Sequence, residues 1–202
     1  MTQSESCDDD PQTTQEQILQ ATYRALHRYG YAGLTIQRIA DFTDVSKSSI
    51  YYHHEDKDEL LLAFLERVLR DVQAGFEIEP EHDPVADLER FLERIFASID
   101  PEPATEALPI GAYVEIRSQA VSNAAYRERV TDIDDALESQ FRSLLQQGVE
   151  QGVVKDVDVG QVSEYLLTTI VGTLERYATT DEFAVEVVRA ELERYLEHRV
   201  IA

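Results

Sequence analysis

The chain has 202 residues, of which 43% are hydrophobic, and its 40 acidic and 18 basic residues give a formal net charge of −22. This length and apolar content exclude a largely disordered chain and allow one sizeable domain or a small domain joined to a larger one, while the single cysteine excludes an intrachain disulfide framework. The N-terminal residues lack a signal-peptide pattern and no apolar run could span a bilayer, so we expect a cytoplasmic protein without a membrane partner.

Helical periodicity runs through nearly the whole chain, and no strand pattern stands out. We interpret residues 1–12 as a disordered acidic tail. The first helix is expected to begin at a cap formed by Thr13 or Thr14, since a glutamate or glutamine three residues later would complete a capping box. Gly30 and Gly33 are expected to end this helix, because glycine is common just beyond helix C-termini.

Two short helices are predicted next. Thr35 caps the first of them, and Ser46 caps the second, which ends near His53. Asp56 with Glu59 forms a further capping box that opens a long fourth helix. The apolar stripe of this fourth helix consists of Leu60, Leu61, Phe64, Val68, Val72 and Phe76.

The loop EIEPEHDP, residues 77–84, is the predicted domain boundary. Asp83 caps the next helix, and Pro84 stands at its first position, where the missing N–H costs nothing. A second loop is expected over residues 100–109. The remaining helices are predicted over about 110–120, from about Ser122 to Gln147, from Asp158 as cap to about Ala178, and over about 181–198.

The two short helices and their tight turn, packed on the first helix, are typical of a helix-turn-helix, whose second helix enters the major groove of DNA. With Ile50 pointing inward, helical geometry turns Ser48, Ser49 and Tyr52 outward. Residues 24–53 have four basic and two acidic side chains, a net charge of +2 in a strongly acidic chain. This segment also has one of only three lysines, Lys47, so it is the place where a polyanion would dock.

The stretch LTIQRIADFTDVSKSSIYYHHEDKDELL, residues 34–61, resembles the DNA-binding module of the TetR family of one-component repressors. The resemblance covers about 28 residues in order and spacing. The residues that match the family pattern are Thr35, Ile39, Ala40, Val45, Ser46, Lys47, Tyr51, Tyr52, His53, Lys57, Leu60 and Leu61. One departure is His54, where the family usually has a core phenylalanine. It is expected either to pack as a neutral side chain or to change how the third and fourth helices meet.

The resemblance implies an all-α fold with a helix-turn-helix domain over 13–55, a connecting helix over 56–78 and a helical ligand-binding and dimerisation domain over 79–202. Thr35 would bind a phosphate, Lys47, Tyr52, His53 and Lys57 would contact the DNA backbone, and Ser48 and Ser49 would approach base edges. The full set of expected DNA-binding residues is Thr35, Arg38, Lys47, Ser48, Ser49, Tyr51, Tyr52, His53 and Lys57.

By the family's logic, the last two helices pair with their copies in a homodimer that binds a pseudo-palindromic double-stranded operator, and a small-molecule effector releases the DNA. The expected dimerisation residues are Val162, Leu166, Ile170, Leu174, Val188, Leu192 and Tyr195, with Phe183 on the same face. The candidate effector residues are Phe91, Ile95, Tyr113, Glu115 and Arg117, although a structural ion pair or a solvated face explains the polar members more simply.

Other functions have less support. Adjacent residues on a helix point in different directions, so the stretch His53–Asp56 is a poor metal site, and the loop around Asp156 and Asp158 lacks the spacing of an EF-hand. No catalytic or cofactor-binding motif occurs, so we expect neither an enzyme nor a cofactor. A helical adaptor that uses the same scaffold without DNA remains the rival hypothesis.

The acidic residues are spread over every predicted helix instead of being collected in a tail. Such an evenly acidic, lysine-poor composition resembles proteins of halophiles that accumulate salt, in which carboxylates hold hydrated cations. An ordinary acidic protein of a mesophile is the alternative.

Overall fold

The computed structural model describes residues 11–74, 83–99 and 109–202. Across these ranges the regular structure is helical, which confirms the predicted all-α class. The α-helices are α1 Pro11–Gly33, α2 Ile36–Ala40, α3 Lys47–His53, α4 Lys57–Ala74, α5 Pro84–Ile99, α6 Ile110–Ser118, α7 Ala124–Gln151, α8 Val159–Thr179 and α9 Val185–Tyr195. A 3-10 turn, Gln119–Val121, follows α6, and a π-helical segment, Leu196–Val200, follows α9. None of the described helices is both long and apolar enough to cross a membrane.

The chain divides into two compact units between Arg67 and Val68, a point that lies within α4. The predicted tail falls mostly on residues 1–10, the predicted boundary loop mostly on 75–82, and the loop after α5 mostly on 100–108; these segments, and Phe76 with them, lie outside the described residues. The domain boundaries proposed from the sequence after residues 55 and 78 stay predictions.

The first unit has one apolar core to which all four of its helices contribute. Helix α1 supplies apolar side chains at helical spacing, α2 supplies two isoleucines and α3 supplies one. Helix α4 supplies the apolar side chains of its first turns. The buried apolar side chains are Ile18, Leu19, Ala21, Ala25, Leu26, Leu34, Ile36, Ile39, Ile50, Leu60, Leu61, Phe64 and Leu65. Short helices such as α2 are marginal alone, so this shared core holds them in place.

The predicted caps of α2, α3 and α4 are present. Thr35 Oγ1 accepts a hydrogen bond from Arg38 N at 3.2 Å, and Ser46 Oγ accepts one from Ser49 N at 3.1 Å. Asp56 caps α4 through Glu59 N at 2.9 Å. Each cap satisfies a backbone N–H that has no partner inside its own helix.

The predicted start of α1 was wrong. The helix begins at Pro11, so Thr13 and Thr14 lie inside it instead of capping it, and residues 11 and 12 are helical and not part of a tail. Its regular part ends at Gly30, where φ is 64° and ψ is 179°, and a short turn continues to Gly33. This backbone conformation favours glycine, as the sequence predicted for Gly30.

The second unit packs α5, α7, α8 and α9 around a second apolar core, and α6 packs against α7 and α8. Asp83 Oδ1 accepts a hydrogen bond from Val85 N at 2.9 Å, and Asp158 Oδ1 accepts one from Gln161 N at 3.1 Å, so both predicted caps are present. The final α-helix begins at Val185 and not near 181. Phe183 precedes it and lies under the Arg176 guanidinium, which is 4.5 Å from the ring centroid.

Helix α7 continues four residues past the predicted end at Gln147 and stops at Gln151. Gly148 lies inside the helix, and its position requires a glycine because a Cβ there would overlap a methyl carbon of Val154. Gly152, with φ 75°, is the glycine that ends the helix.

Candidate functional site

Helix α3 has one buried side and one exposed side, as the sequence predicted. Ile50 is fully buried, whereas Tyr52 is 87% exposed and Tyr51 is 48% exposed. Lys47 and Ser48 are also exposed. These residues bring an ammonium group, a hydroxyl and two phenol rings to one surface, a set of donors and flat apolar groups that suits phosphates and base edges.

The serines at the start of α3 have structural partners as well. Ser46 Oγ lies 2.9 Å from Ser48 Oγ while it caps the helix through Ser49. Ser49 is half-buried, and His53, also half-buried, has its ring 5.5 Å from that of Tyr52 in an edge-on arrangement. The predicted DNA contacts of these residues stay predictions.

Arg38, on α2, is a cation outside α3 that was also predicted to bind DNA. Its guanidinium donates a hydrogen bond to the Gly33 carbonyl oxygen and lies 4.4 Å from the centroid of the Tyr29 ring. Thr35 is exposed, and its oxygen is already used in capping α2, so its hydroxyl proton is the group left to donate to a phosphate.

Lys57, at the start of α4, is arranged in the same way. Its Nζ donates a hydrogen bond to the Tyr31 carbonyl oxygen at 3.0 Å and lies 4.1 Å from the centroid of the Tyr31 ring. Neither tyrosine was among the predicted site residues, because Tyr29 and Tyr31 flank Gly30 outside the helix-turn-helix pattern and their partners lie farther along the chain.

His54 is the departure from the family pattern, and it lies at the C-cap of α3. The side chain is only 3% exposed, and within the described part of the chain neither ring nitrogen has a hydrogen-bond partner. Burial lowers the pKa of His54, opposed by the attraction of Glu59 and assisted by the repulsion of His53. Of the two alternatives, the structure shows His54 packed as a buried side chain, and this burial favours its neutral form. Among the described residues no group of three or more histidines, cysteines and acids could hold a metal ion.

In the second unit, the residues proposed to bind an effector differ in how deeply they are buried. Phe91 lies in the core, where its ring centroid is 5.0 Å from that of Phe141, and Ile95 is partly buried beside it. Tyr113 is buried, but Glu115 is exposed. Their proposed role in binding an effector stays a prediction.

Arg117 forms an ion pair that links α6 to α7. Its guanidinium donates to both carboxylate oxygens of Asp134, at 2.9 and 2.6 Å. The hydrogen bond to Asp134 and the attraction of Tyr113 and Asp134 raise the pKa of Arg117 in spite of its burial. Burial is the main cause that raises the pKa of Tyr113. Arg117 is therefore in a structural ion pair, the kind of role that was left open for it beside a ligand role, but its partner is Asp134 and not the neighbouring Glu115.

A groove of about 240 Å³ lies between α5 and α9, and none of the proposed effector residues lines it. Its floor is apolar and its rim has four glutamates and one arginine. The lining residues are Glu89, Leu92, Glu93, Phe96, Arg189, Leu192, Glu193, Leu196 and Glu197. Arg189 pairs with Glu193 at 3.0 Å and with Glu93 at 3.5 Å, so the rim keeps an excess of negative charge.

Most of the residues predicted to form a dimer interface lie in the core of the single chain. Val162, Leu166, Ile170 and Leu192 are each at most 5% exposed within the single chain, because they form its own core. Leu174, Val188 and Tyr195 are partly buried. The apolar periodicity had identified the buried face of each helix, and that face packs inside the subunit.

Comparison with known proteins assigns both units. Residues 18–64 match the family model of bacterial regulatory proteins of the tetR family, and residues 84–200 match that of the BetI-type transcriptional repressor C-terminal domain. The HTH-type transcriptional repressor AcnR of Corynebacterium glutamicum is 27% identical over 172 residues, which is 85% of each chain.

Solved structures agree. A TetR transcription regulator from Haloarcula marismortui superimposes with a TM-score of 0.82 and 32% identity, over 94% of this chain and 99% of that one. A transcriptional regulator from Saccharomonospora viridis, solved in complex with choline, gives a TM-score of 0.79 at 22% identity, over 95% and 99%, and so shares the fold.

Proposed function

Because the chain belongs to the TetR family of transcriptional regulators and is not an enzyme, we propose that it represses transcription by binding a pseudo-palindromic operator as a homodimer. The observation that supports this most directly is the exposed side of α3. Lys47, Ser48, Tyr51 and Tyr52 are all exposed there, while Ile50 fixes the helix in the core. Such an outward-facing second helix is the part of a helix-turn-helix that enters the major groove.

The test is selection of duplexes from random DNA by the purified protein, followed by mapping of the sites it occupies in its own genome. We expect an enriched sequence with two inverted half-sites, and occupancy near promoters whose transcripts rise when the gene is deleted. A protein that enriches no sequence at any salt concentration would instead support the helical adaptor.

For the homodimer, we propose an interface on the outward sides of α8 and α9 instead of the core residues first predicted. Tyr165, Thr168 and Gly172 are exposed at i, i+3 and i+7 on α8, so they share one face. The Tyr165 ring lies 4.6 Å from that of Tyr195, and Val187 on α9 is 66% exposed. Two copies of these helices would form a four-helix contact.

The effector is proposed to be a small molecule bound by the second unit. The groove between α5 and α9 combines an apolar floor with carboxylates, a chemistry that favours a cation with an apolar part. Choline, seen with a protein of the same fold, is one such cation. Thermal unfolding with choline and with its uncharged carbon analogue, 3,3-dimethylbutan-1-ol, tests this. Stabilisation by choline alone, lost in Glu89→Gln and Glu193→Gln but kept in Arg117→Met, would favour the groove over the residues first predicted.

A further inference from the structure

Two tyrosines at the end of α1 each hold a cation that comes from a different helix. Tyr29 lies under the Arg38 guanidinium of α2, and Tyr31 lies under the Lys57 ammonium of α4, at 4.4 and 4.1 Å from the ring centroids. Both distances are well within the range of about 6 Å over which a cation is attracted to an aromatic face. The positive φ of Gly30 separates the two tyrosines at the point where α1 ends.

Each cation also donates a hydrogen bond to a backbone oxygen of the same segment. Arg38 donates to Gly33, and Lys57 donates to Tyr31 at 3.0 Å. At Gly33 a Cβ would lie 3.0 Å from an Arg38 guanidinium nitrogen, so the glycine leaves the space in which that side chain lies. The Phe42 ring, 6.2 Å from that of Tyr29 and nearly perpendicular to it, packs against the first pair.

These contacts tie both α2 and the start of α4 to the end of α1. Arg38 ties α2 to the end of α1, and Lys57 ties the start of α4 to the same segment across 26 residues of chain. Helix α3 lies in the chain between these two attachments. Its orientation therefore depends on both, because α3 has only seven residues and a single buried side chain of its own.

Lys47 on α3 has a different environment. It is exposed, and its Nζ lies 5.9 Å from the Tyr51 ring, at the outer limit of a cation–π contact. For Lys47 to reach a phosphate, no close contact has to be broken. Lys57 is half-buried, and its ammonium already donates to a carbonyl oxygen and lies over an aromatic face, so a phosphate could use only its remaining donors.

We propose that Arg38 and Lys57 are positioning residues, which clamp α2 and the start of α4 onto Tyr29 and Tyr31, and that Lys47 is the member of these three cations that contacts a DNA phosphate. This replaces the phosphate contact that the family resemblance implied for Lys57. The inference rests on the proposed function, since it concerns how the same surface binds DNA.

The experiment compares one substitution, lysine to methionine, at two positions. Affinity for a duplex selected by the wild-type protein is measured over a range of KCl concentrations, together with the Tm, for Lys47→Met, Lys57→Met, Tyr31→Leu and the double variant of Lys57 and Tyr31. A lost phosphate contact shifts the slope of log affinity against log salt by about 0.9, so we expect that shift for Lys47→Met with an unchanged Tm.

For Lys57→Met we expect the wild-type slope, a lowered Tm and a loss of affinity at every salt concentration. The loss should be roughly fivefold to thirtyfold, the span of a cation–π contact with a charged hydrogen bond. The double variant should be no worse than the worse single variant, because both substitutions break one clamp. In a second double-mutant cycle, the double variant of Arg38→Met and Tyr29→Leu should likewise be no worse than the worse of its two single variants.

A slope shift of about 0.9 for Lys57→Met with an unchanged Tm would overturn the proposal and restore Lys57 as a phosphate ligand. Additive losses of Tm in either pair of variants would also overturn it. If the wild-type protein selects no DNA sequence, the proposed function fails. The Tm values of the two double-mutant cycles would still decide whether the clamps exist.

Discussion

On α3, a side chain is available to touch DNA if it is exposed and is not already engaged by a neighbouring side chain. Tyr52 is the most exposed of these at 87%, and Lys47 is exposed beside it. By contrast, Ser48 already shares a hydrogen bond with Ser46. The energy of docking should therefore be concentrated in Lys47 and Tyr52, with the serines supplying shape and short-range contacts at base edges.

The first prediction concerns these two side chains. Lys47→Ala and Tyr52→Phe should each weaken operator binding by about 1–2 kcal/mol, because each removes one donor to the DNA backbone. The Tm should not change, since neither side chain is in the core. Titration of the selected duplex checks the affinity, and calorimetry checks the fold. An unchanged affinity in both variants would remove this face of α3 from the DNA interface.

The second prediction concerns the pH dependence of stability and His54. Burial keeps the folded-state pKa of His54 below the usual 6.5, so the unfolded chain binds the proton first. The contribution of a neutral His54 is therefore complete above about pH 6.5 and is lost as the pH falls below that value, by at most about 1.4 kcal/mol per pH unit.

The measurement is the free energy of unfolding of the wild-type protein and of His54→Phe between pH 7.5 and 5. The difference between the two should grow in favour of the phenylalanine variant as the pH falls, because phenylalanine cannot be protonated. His27→Gln, at an exposed position of α1, serves as the control and should follow the wild type. Parallel curves for His54→Phe and the wild type would show that this site does not titrate.

At the scale of helices, local signals in the sequence were enough wherever a helix end is decided by neighbouring residues. Thr35, Ser46 and Asp158 each cap the helix that follows them, as predicted, since a cap needs only a side chain and a backbone N–H three residues away. The end of α7 could not be predicted in this way. Gly148 is inside the helix, and the glycine there serves close packing: Val154, brought back by the next turn, occupies the space that a side chain would take.

The apolar stripes of α8 and α9 show a second limit. Periodicity reveals which side of a helix is buried, but not whether the same chain or a partner covers it. The sequence assigned Ile170 and Leu192 to an interface, and the structure places both in the subunit's own core. The clamps at Tyr29 and Tyr31 were also out of reach, because cation–π pairs between separate helices leave no periodic pattern.

The third prediction tests the revised interface on α8. Gly172 is exposed, and a Cβ there would meet no atom within 4 Å, so Gly172→Arg should fold normally. In the dimer the added guanidinium would keep the two copies of α8 apart. We expect a monomer by light scattering and a loss of tight operator binding, since one recognition helix cannot occupy both half-sites.

Gly111→Arg is the matched control for this variant. Gly111 is also helical and exposed, and a Cβ there would again meet no atom within 4 Å, but it lies on α6. It should remain dimeric. Dimers from both variants would exclude the outward face of α8, and monomers from both would point to a general effect of the added charge.

For the molecule as a whole, the net charge of −22 has to be reconciled with binding to a polyanion. Residues 24–53 have a net charge of +2, so the helix-turn-helix lies in a net positive segment of an otherwise acidic chain. Arg38 and Lys57, which lie in and next to this segment, are already held by tyrosines.

The last prediction is a shallow or inverted dependence of operator affinity on salt. A protein whose binding depends on many phosphate contacts loses affinity steeply as salt rises, with a slope near −0.9 per contact. Here few cations contribute, and at low salt the carboxylates of the rest of the chain repel the duplex over a screening length of about 30 Å at 0.01 M, which shrinks to about 3 Å at 1 M. As salt removes this repulsion, binding should come to depend on the hydroxyl and aromatic contacts of Thr35, Ser48 and Tyr52.

Titration of the selected duplex from about 0.1 to 2 M KCl, with the Tm followed in parallel, should show that folding and binding are both strongest at high potassium concentration. A steep, monotonic loss of affinity in a dimer already stable at the low end would mean that phosphate contacts dominate after all, and that the acidic surface is not an adaptation to salt.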